Sequence, residues 1–285
     1  MQPASAQLFE NKGELFTETD FFNREFIRDN KIKSIKGTVA DKDDLKPIEQ
    51  LNLRNEYYFD EEGRLKGILE EVASKDTTPL QLITLFEYDA TGNVVVKRGS
   101  DRDGFFSWRY EYNDDGYMVR ETYNRETNKG SSSADFELDR QIKVHTETFE
   151  YPVHTDEQQK KVFFNREGRE YKTQMRYWGA YGHLTEELEV FTVSNRKTTK
   201  TYAYDEMHRL AKLTETSSHG SELVREFDYD DLGFVESEKV LRNGTLIKDI
   251  AYMYDPATYM LSARLIRDEE EQSIRIIQYE TEFFE

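Results

Sequence analysis

A nine-residue pattern constrains this chain more than any other feature. In Phe227-Asp228-Tyr229-Asp230-Asp231-Leu232-Gly233-Phe234-Val235 it reads aromatic, any, aromatic, Asp, two free positions, Gly, any, apolar. Let the second aromatic be position n. Asp at n+1 accepts a hydrogen bond from the backbone two residues on and so opens a tight turn. Gly at n+4 takes the positive φ with which a type I turn runs into a bulge. In that geometry the residue at n faces the one at n+6. The pairs are Phe59/Leu65, Tyr88/Val94, Tyr112/Met118, Trp178/Leu184, Tyr204/Leu210, Tyr229/Val235 and Tyr254/Met260, each joining an aromatic to an apolar residue. The n−2 positions (Tyr57, Phe86, Tyr110, Tyr202, Phe227, Tyr252) share their face of the strand. A further candidate at Phe164, with Asn165 and Gly168, has Glu170 at n+6 and lacks the apolar partner.

From Trp178 onward the n positions are 26, 25 and 25 residues apart. Such a period holds two strands and two turns. Turn formers lie midway in each period, as in Ser217-Ser218-His219-Gly220 and Arg242-Asn243-Gly244. Asn-Gly between alternating strands is a strong hairpin signal. The expected fold is all-β: an antiparallel meander of repeated hairpins forming an elongated, twisted or curled repeat sheet, with a short helix near the N-terminus. Residues 1–18 read as a disordered or extended start, 19–56 as a cap with a short helix and a strand, and 57–285 as the repeat array, irregular at 125–165. In the cap, Thr19 or Asp20 can start a helix that carries Phe22 and Phe26 and stops at Asn30. Lys31 to Gly37 alternates as a strand, Asp41-Lys42-Asp43-Asp44 reads as a loop, and Pro47 opens a second short turn or helix. In the irregular stretch, Phe149-Glu150-Tyr151-Pro152 reads as a decayed turn unit, and Thr127-Asn128-Lys129-Gly130, followed by Ser131-Ser132-Ser133, as a flexible loop.

Composition narrows the partners. The formal net charge is −18, with 57 acidic against 39 basic residues. Binding a phosphate backbone needs clustered Lys and Arg, so nucleic acid is excluded as an expected partner. No apolar run approaches the roughly 20 residues of a membrane helix, and no membrane insertion is expected. Hydrophobic residues make up 36%, too few for a thick two-layer core, and a thin sheet with one apolar face suits this balance. With no Cys there are no disulfides, thiolate metal sites or Cys nucleophile. Ala4-Ser5-Ala6 has the small-x-small form that precedes signal cleavage, but no apolar segment precedes it.

The unit Tyr-Asp-x-x-Gly followed by an apolar residue resembles the YD repeat of RHS-type proteins. Tyr88-Asp89-Ala90-Thr91-Gly92-Asn93-Val94 and Tyr229 to Val235 carry the resemblance best, and it covers roughly residues 57–265. His208 and Thr258 stand where the family has Gly. The resemblance implies a strip of β-hairpins, here too short to close into a shell, and looks most like small exported YD-repeat proteins of bacteria.

Chemistry is sparse by comparison. His145, His154, His183, His208 and His219 show no metal spacing. Asp101-Arg102-Asp103-Gly104 and Asn113-Asp114-Asp115-Gly116 lack the rest of a calcium loop and read as turns. Neither a cofactor nor a catalytic residue is expected. The candidate binding residues are Trp178, Tyr181 and His183, in the turn that departs most from the repeat, and Trp108, the other tryptophan. Aromatics at n and n−2 read first as core, and second as a ladder on which sugar rings stack. The expected function is a non-enzymatic, exported binding or scaffold protein, periplasmic or at the cell surface, with a protein or glycan of the cell envelope as partner. The alternatives are a carbohydrate-active hydrolase using a carboxylate pair on the sheet, and an accessory or immunity-like partner of an RHS-type toxin system.

Overall fold

A computed structural model describes residues 7–11, 21–43, 46–74, 78–130 and 135–285. Apart from Gln7 to Asn11, the expected disordered start at 1–18 lies outside them, as do Ala4-Ser5-Ala6, the Thr19 or Asp20 cap and Ser131-Ser132-Ser133. One helix, α1 (Arg24–Asp29), precedes β1 (Ile32–Asp43), β2 (Glu49–Phe59), β3 (Leu65–Val72), β4 (Leu80–Tyr88), β5 (Val94–Asp101) and β6 (Gly104–Tyr112). There follow β7 (Met118–Asn128), β8 (Leu138–His154), β9 (Gln158–Phe164), β10 (Glu170–Trp178), β11 (Leu184–Phe191) and β12 (Lys197–Tyr204). The last are β13 (Leu210–Ser217), β14 (Glu222–Tyr229), β15 (Val235–Arg242), β16 (Thr245–Tyr254), β17 (Leu261–Asp268) and β18 (Ser273–Phe283).

The turns show why the repeat folds as it does. The Oδ1 of Asp230 accepts from the amides of Leu232 at 3.0 Å and Phe234 at 2.8 Å. Asp60, Asp89 and Asp205 do the same at their own turns. Phe59 pairs with Leu65, Tyr88 with Val94, Tyr112 with Met118 and Trp178 with Leu184. The turn after Phe164 takes the same form, with Asn165 as acceptor and Glu170 opposite Phe164, so the apolar partner is not needed for the turn itself. Tyr254 departs from the expected register. Its turn holds one more residue, Tyr259 takes the positive φ of 58°, and Tyr254 pairs with Leu261 instead of Met260. At Asn243-Gly244 both residues have positive φ, 49° and 79°, as a two-residue type I′ hairpin requires.

The expected elongated repeat sheet is corrected. β1 pairs along one edge with β2 and along the other with β18, through Gly37↔Tyr279 and Val39↔Ile277. The 18 strands thus form one closed antiparallel barrel, with one small helix among the described residues. Closure leaves no unpaired edge to manage. The turn chemistry is local and specifies each hairpin, whereas closure depends on twist summed over many strands.

Closure also corrects the expectation of no membrane insertion. No helix among the described residues is long and apolar enough to cross a membrane. A closed barrel is able to cross a membrane by strands of alternating polarity, to which an apolar-run criterion does not apply, so the ground for that expectation falls away.

Smaller corrections follow. β1 runs through Asp43, where a loop was expected from Asp41. Among the described residues no helix follows Pro47, and β7 runs through Asn128, where a loop was expected from Thr127. Phe149 to Pro152 is no turn, because β8 runs through it for 17 residues with a register shift between Glu150 and Val153. Asn23 caps α1, its side chain accepting from the Phe26 amide at 3.1 Å, and Asn30 ends it.

The chain divides into two compact units. In the first (Met1–Leu82, Tyr204–Lys212, Val224–Glu285) the N-terminal segment covers the aromatic face of the sheet. Phe9 bridges to Phe22, whose ring lies 5.3 Å from Tyr57 and 4.8 Å from Phe59, and Phe9 also meets Tyr252 at 6.1 Å. Leu8 and Ile27 are wholly buried beneath it. This layer is how a chain of low hydrophobic content closes a core here; each large side chain contributes roughly 1.5–3 kcal/mol. In the second unit (Ile83–Ala203, Leu213–Leu223) the corresponding face stays half-exposed over much of its area.

Candidate functional site

The second unit carries three cross-strand rows on its aromatic face. Strand pairing places directly opposed residues on one side of a sheet, and residues two apart along a strand follow on that side about 7 Å away. The first row is Phe86, Lys97, Trp108, Tyr123 and His145, running from β4 to β8. The second is Tyr110, Glu121 and Glu147. On the far side of Glu147 the third runs Phe149, Phe163, Lys172 and Phe191, from β8 to β11. His145, Glu147 and Phe149 alternate along β8 and tie the rows together.

The result is an acidic centre between two aromatic margins. The Trp108 and Tyr123 rings are 5.5 Å apart, Tyr123 and the His145 ring 5.6 Å, and Phe149 and Phe163 5.0 Å. Trp108 and Tyr123 are half-buried and His145 is exposed, so ring faces remain open. Glu147 accepts from the Tyr171 hydroxyl at 2.7 Å. Burial, and then the charge of Glu147 opposite, raise the Glu121 carboxyl above the ordinary range, against the pull of Lys161 and His145. Burial also pushes the Tyr171 phenol up, helped by Glu147.

Lys161 enters this face from β9. Its ammonium lies 3.8 Å from the centroid of Phe149 and 4.7 Å from that of Phe163. Burial, Arg176 and Lys172 bring its pKa down to about 8, while Glu121 and Glu147 oppose. Lys161→Met is therefore expected to stabilise the protein by about 1–2 kcal/mol at pH 7. From about pH 8 to the ordinary 10.5 the unfolded chain holds a proton that the folded chain has released. Wild-type stability rises with pH through that window, and the advantage of the variant shrinks across it. Urea unfolding at pH 7 and pH 10 measures both; a loss of stability at pH 7 would contradict the assignment.

Of the expected site residues only Trp108 belongs to these rows. Trp178 ends β10 opposite Leu184, and Tyr181 and His183 belong to the turn beyond it, where Gly179 donates to the His183 carbonyl at 2.9 Å. The Tyr181 ring is 76% exposed, which makes this turn a separate surface feature. Sequence reasoning missed Glu121, Glu147, Lys161 and Tyr171. The signal that could have found them is the period-two run His145-x-Glu147-x-Phe149, followed by Lys161-x-Phe163. Among the described residues no group of three or more His, Asp or Glu could hold a metal ion.

No family model matches the chain, and no curated protein does. Among solved structures it is similar to a porin-like protein from Bacteroides uniformis, at 14% identity, covering 88% of this chain and 98% of that one, with a TM-score of 0.42. A porin-like protein from Bacteroides vulgatus is similar at 8% identity over 87% and 98%, with a TM-score of 0.33. The expected membership of the YD-repeat, RHS-like family is corrected: no family model matches the chain, and the strands close on themselves where an open strip of hairpins was expected. The Tyr-Asp-x-x-Gly unit recurs because it is a good solution for a bulged hairpin turn, and such a turn serves any antiparallel meander.

Proposed function

We propose that this protein is a non-enzymatic binding barrel of the cell envelope that takes a glycan on the aromatic face of its second unit. The observation that carries the reading is the half-exposed row Trp108–Tyr123–His145 directly beside Glu121 and Glu147. Open ring faces match the apolar faces of sugar rings, and carboxylates two residues away can accept from their hydroxyls. The envelope setting is supported by the closed antiparallel barrel with an even strand number, the form of bacterial outer-membrane barrels. The Tyr181 ring, with Trp178 and His183, forms a second contact in this reading.

A panel of purified oligosaccharides, screened by array and titrated by calorimetry, tests it. At least one glycan is expected to bind, and Trp108→Ala or Tyr123→Ala to weaken it at least tenfold, about 1.4 kcal/mol, with thermal unfolding unchanged. Tyr181→Ala reports on the second contact alone. Binding that survives both row substitutions, or a panel without any ligand, would sink the proposal. Fractionation of the native host should recover the protein with the envelope.

The Glu121–Glu147 pair favours one second reading, glycoside hydrolysis, because two carboxyls face each other in register and burial together with the charge of Glu147 raises the Glu121 carboxyl above the ordinary range. Release of reducing ends from a bound glycan, abolished in Glu121→Gln, would replace the binding reading by this one.

A further inference from the structure

We propose that Lys161 is a nucleophilic amine that condenses with the carbonyl group of an aldehyde or ketone reaching the aromatic face of the second unit. The inference concerns covalent chemistry and does not depend on the glycan reading.

Two amines converge on one ring. The Lys172 Nζ lies 4.0 Å from the Phe163 centroid and the Lys161 Nζ lies 4.7 Å from it. Lys172 has an ion-pair partner in Glu189 at 3.3 Å. Lys161 has no carboxylate oxygen within 4.0 Å and no hydrogen-bond acceptor among the described residues; its surroundings are Phe149, Phe163 and, at 5.9 Å, Tyr151. Ring faces attract an ammonium but hydrate it poorly. A lysine in an apolar setting beside other cations is the recognised way to keep an amine unprotonated near neutral pH. The charged groups acting on it are Arg176 and Lys172 from β10, Glu147 from β8 and Glu121 from β7. The two cations and the burial outweigh the two carboxylates, which accounts for the pKa of about 8. Lys161 is half-buried, so a small carbonyl compound can reach it.

The step balances without an oxidant or reductant. The Nζ lone pair attacks the carbonyl carbon, and the π pair moves to oxygen, giving a carbinolamine after proton transfer. The oxygen then leaves as water, forming the imine. Glu121, which interacts electrostatically with Lys161 and whose carboxyl holds its proton more tightly than usual, can supply the proton that departs with the oxygen.

Brief treatment of the folded protein with propionaldehyde and cyanoborohydride tests this, with the alkylated lysines quantified by peptide mass spectrometry. At pH 7 Lys161 is expected to be modified roughly tenfold faster than the exposed Lys66 and Lys239 in the same sample. The ratio should fall to about one in guanidinium chloride, and the rate should be half-maximal near pH 8. Lys172→Met should move that midpoint upward and slow the reaction at pH 7. Modification of folded Lys161 at or below the rate of Lys66 overturns the proposal, as does a ratio that persists on denaturation. Both criteria use the wild-type protein, so they decide even if the variant does not fold.

Discussion

Glu126→Ala is expected to destabilise the second unit by about 3–5 kcal/mol, the largest effect of any single substitution considered for this protein. The Glu126 side chain is fully buried, and it holds Arg98 through Nε at 2.6 Å. Its other oxygen accepts from Ser107 at 2.7 Å and from Gln141 at 2.8 Å. The Arg98 side chain is only 6% exposed and lies 4.2 Å over the Phe136 ring. Removing Glu126 strands a buried guanidinium whose remaining carboxylate, Glu87 at 2.8 Å, is half in water. Burial on its own would raise the Glu126 carboxyl, but Arg98 and Ser107 hold it below the ordinary range. The stabilisation is therefore present above the unfolded carboxylate pKa and is lost as pH falls through the lower folded value. Urea unfolding at pH 7, read as a shift of midpoint at constant slope, measures the effect. The double variant Arg98→Met, Glu126→Leu should recover most of the loss, because an apolar pair of similar volume carries no stranded charge. A loss under about 1 kcal/mol for the single variant would mean that the pair is not buried in solution.

Gly63→Ala is expected to cost about 3 kcal/mol or more, and Gly116→Ala only about 1–2. Both glycines occupy the same place in the turn unit, with φ of 78° and 81°. An added Cβ at Gly116 meets nothing within 4 Å, so only the backbone conformation is penalised. At Gly63 the Cβ would lie 2.2 Å from the Arg24 carbonyl oxygen and 2.9 Å from the Arg28 amide nitrogen. Both are backbone atoms of α1, which would have to lift from the turn, breaking the contact of Arg24 Nε with the Glu62 carbonyl at 3.0 Å. Thermal unfolding of the two variants side by side is the measurement. Equal losses would show that α1 does not rest on this turn.

That pair of glycines shows where the sequence stops being informative. The motif identifies both as turn residues, and nothing near Gly63 in the chain announces that a helix some forty residues upstream will sit on it. The candidate site behaves alike. Trp108 was legible as an unusual aromatic, but Glu121, Glu147 and Lys161 come from β7, β8 and β9 and become neighbours only through strand register. In β8 that register passes shifts at Tyr123/Asn124 and Glu150/Val153, which no turn motif encodes. His208 and Tyr259 carry the positive φ of their turns without being glycine, 64° and 58°, so even the motif tolerates exceptions that the packing absorbs.

What the sequence determined by itself is the hairpin: Asp binding the two amides across its own turn, and the aromatic at n meeting its partner across the bulge. Those interactions span only a few residues, so local chemistry suffices. What only the tertiary structure decided is that β18 returns to β1, that the N-terminal segment covers the aromatic face of the first unit, and that the matching face of the second stays open. These depend on twist accumulated over many strands and on contacts across more than two hundred residues, where no single side chain holds a preference strong enough to be read.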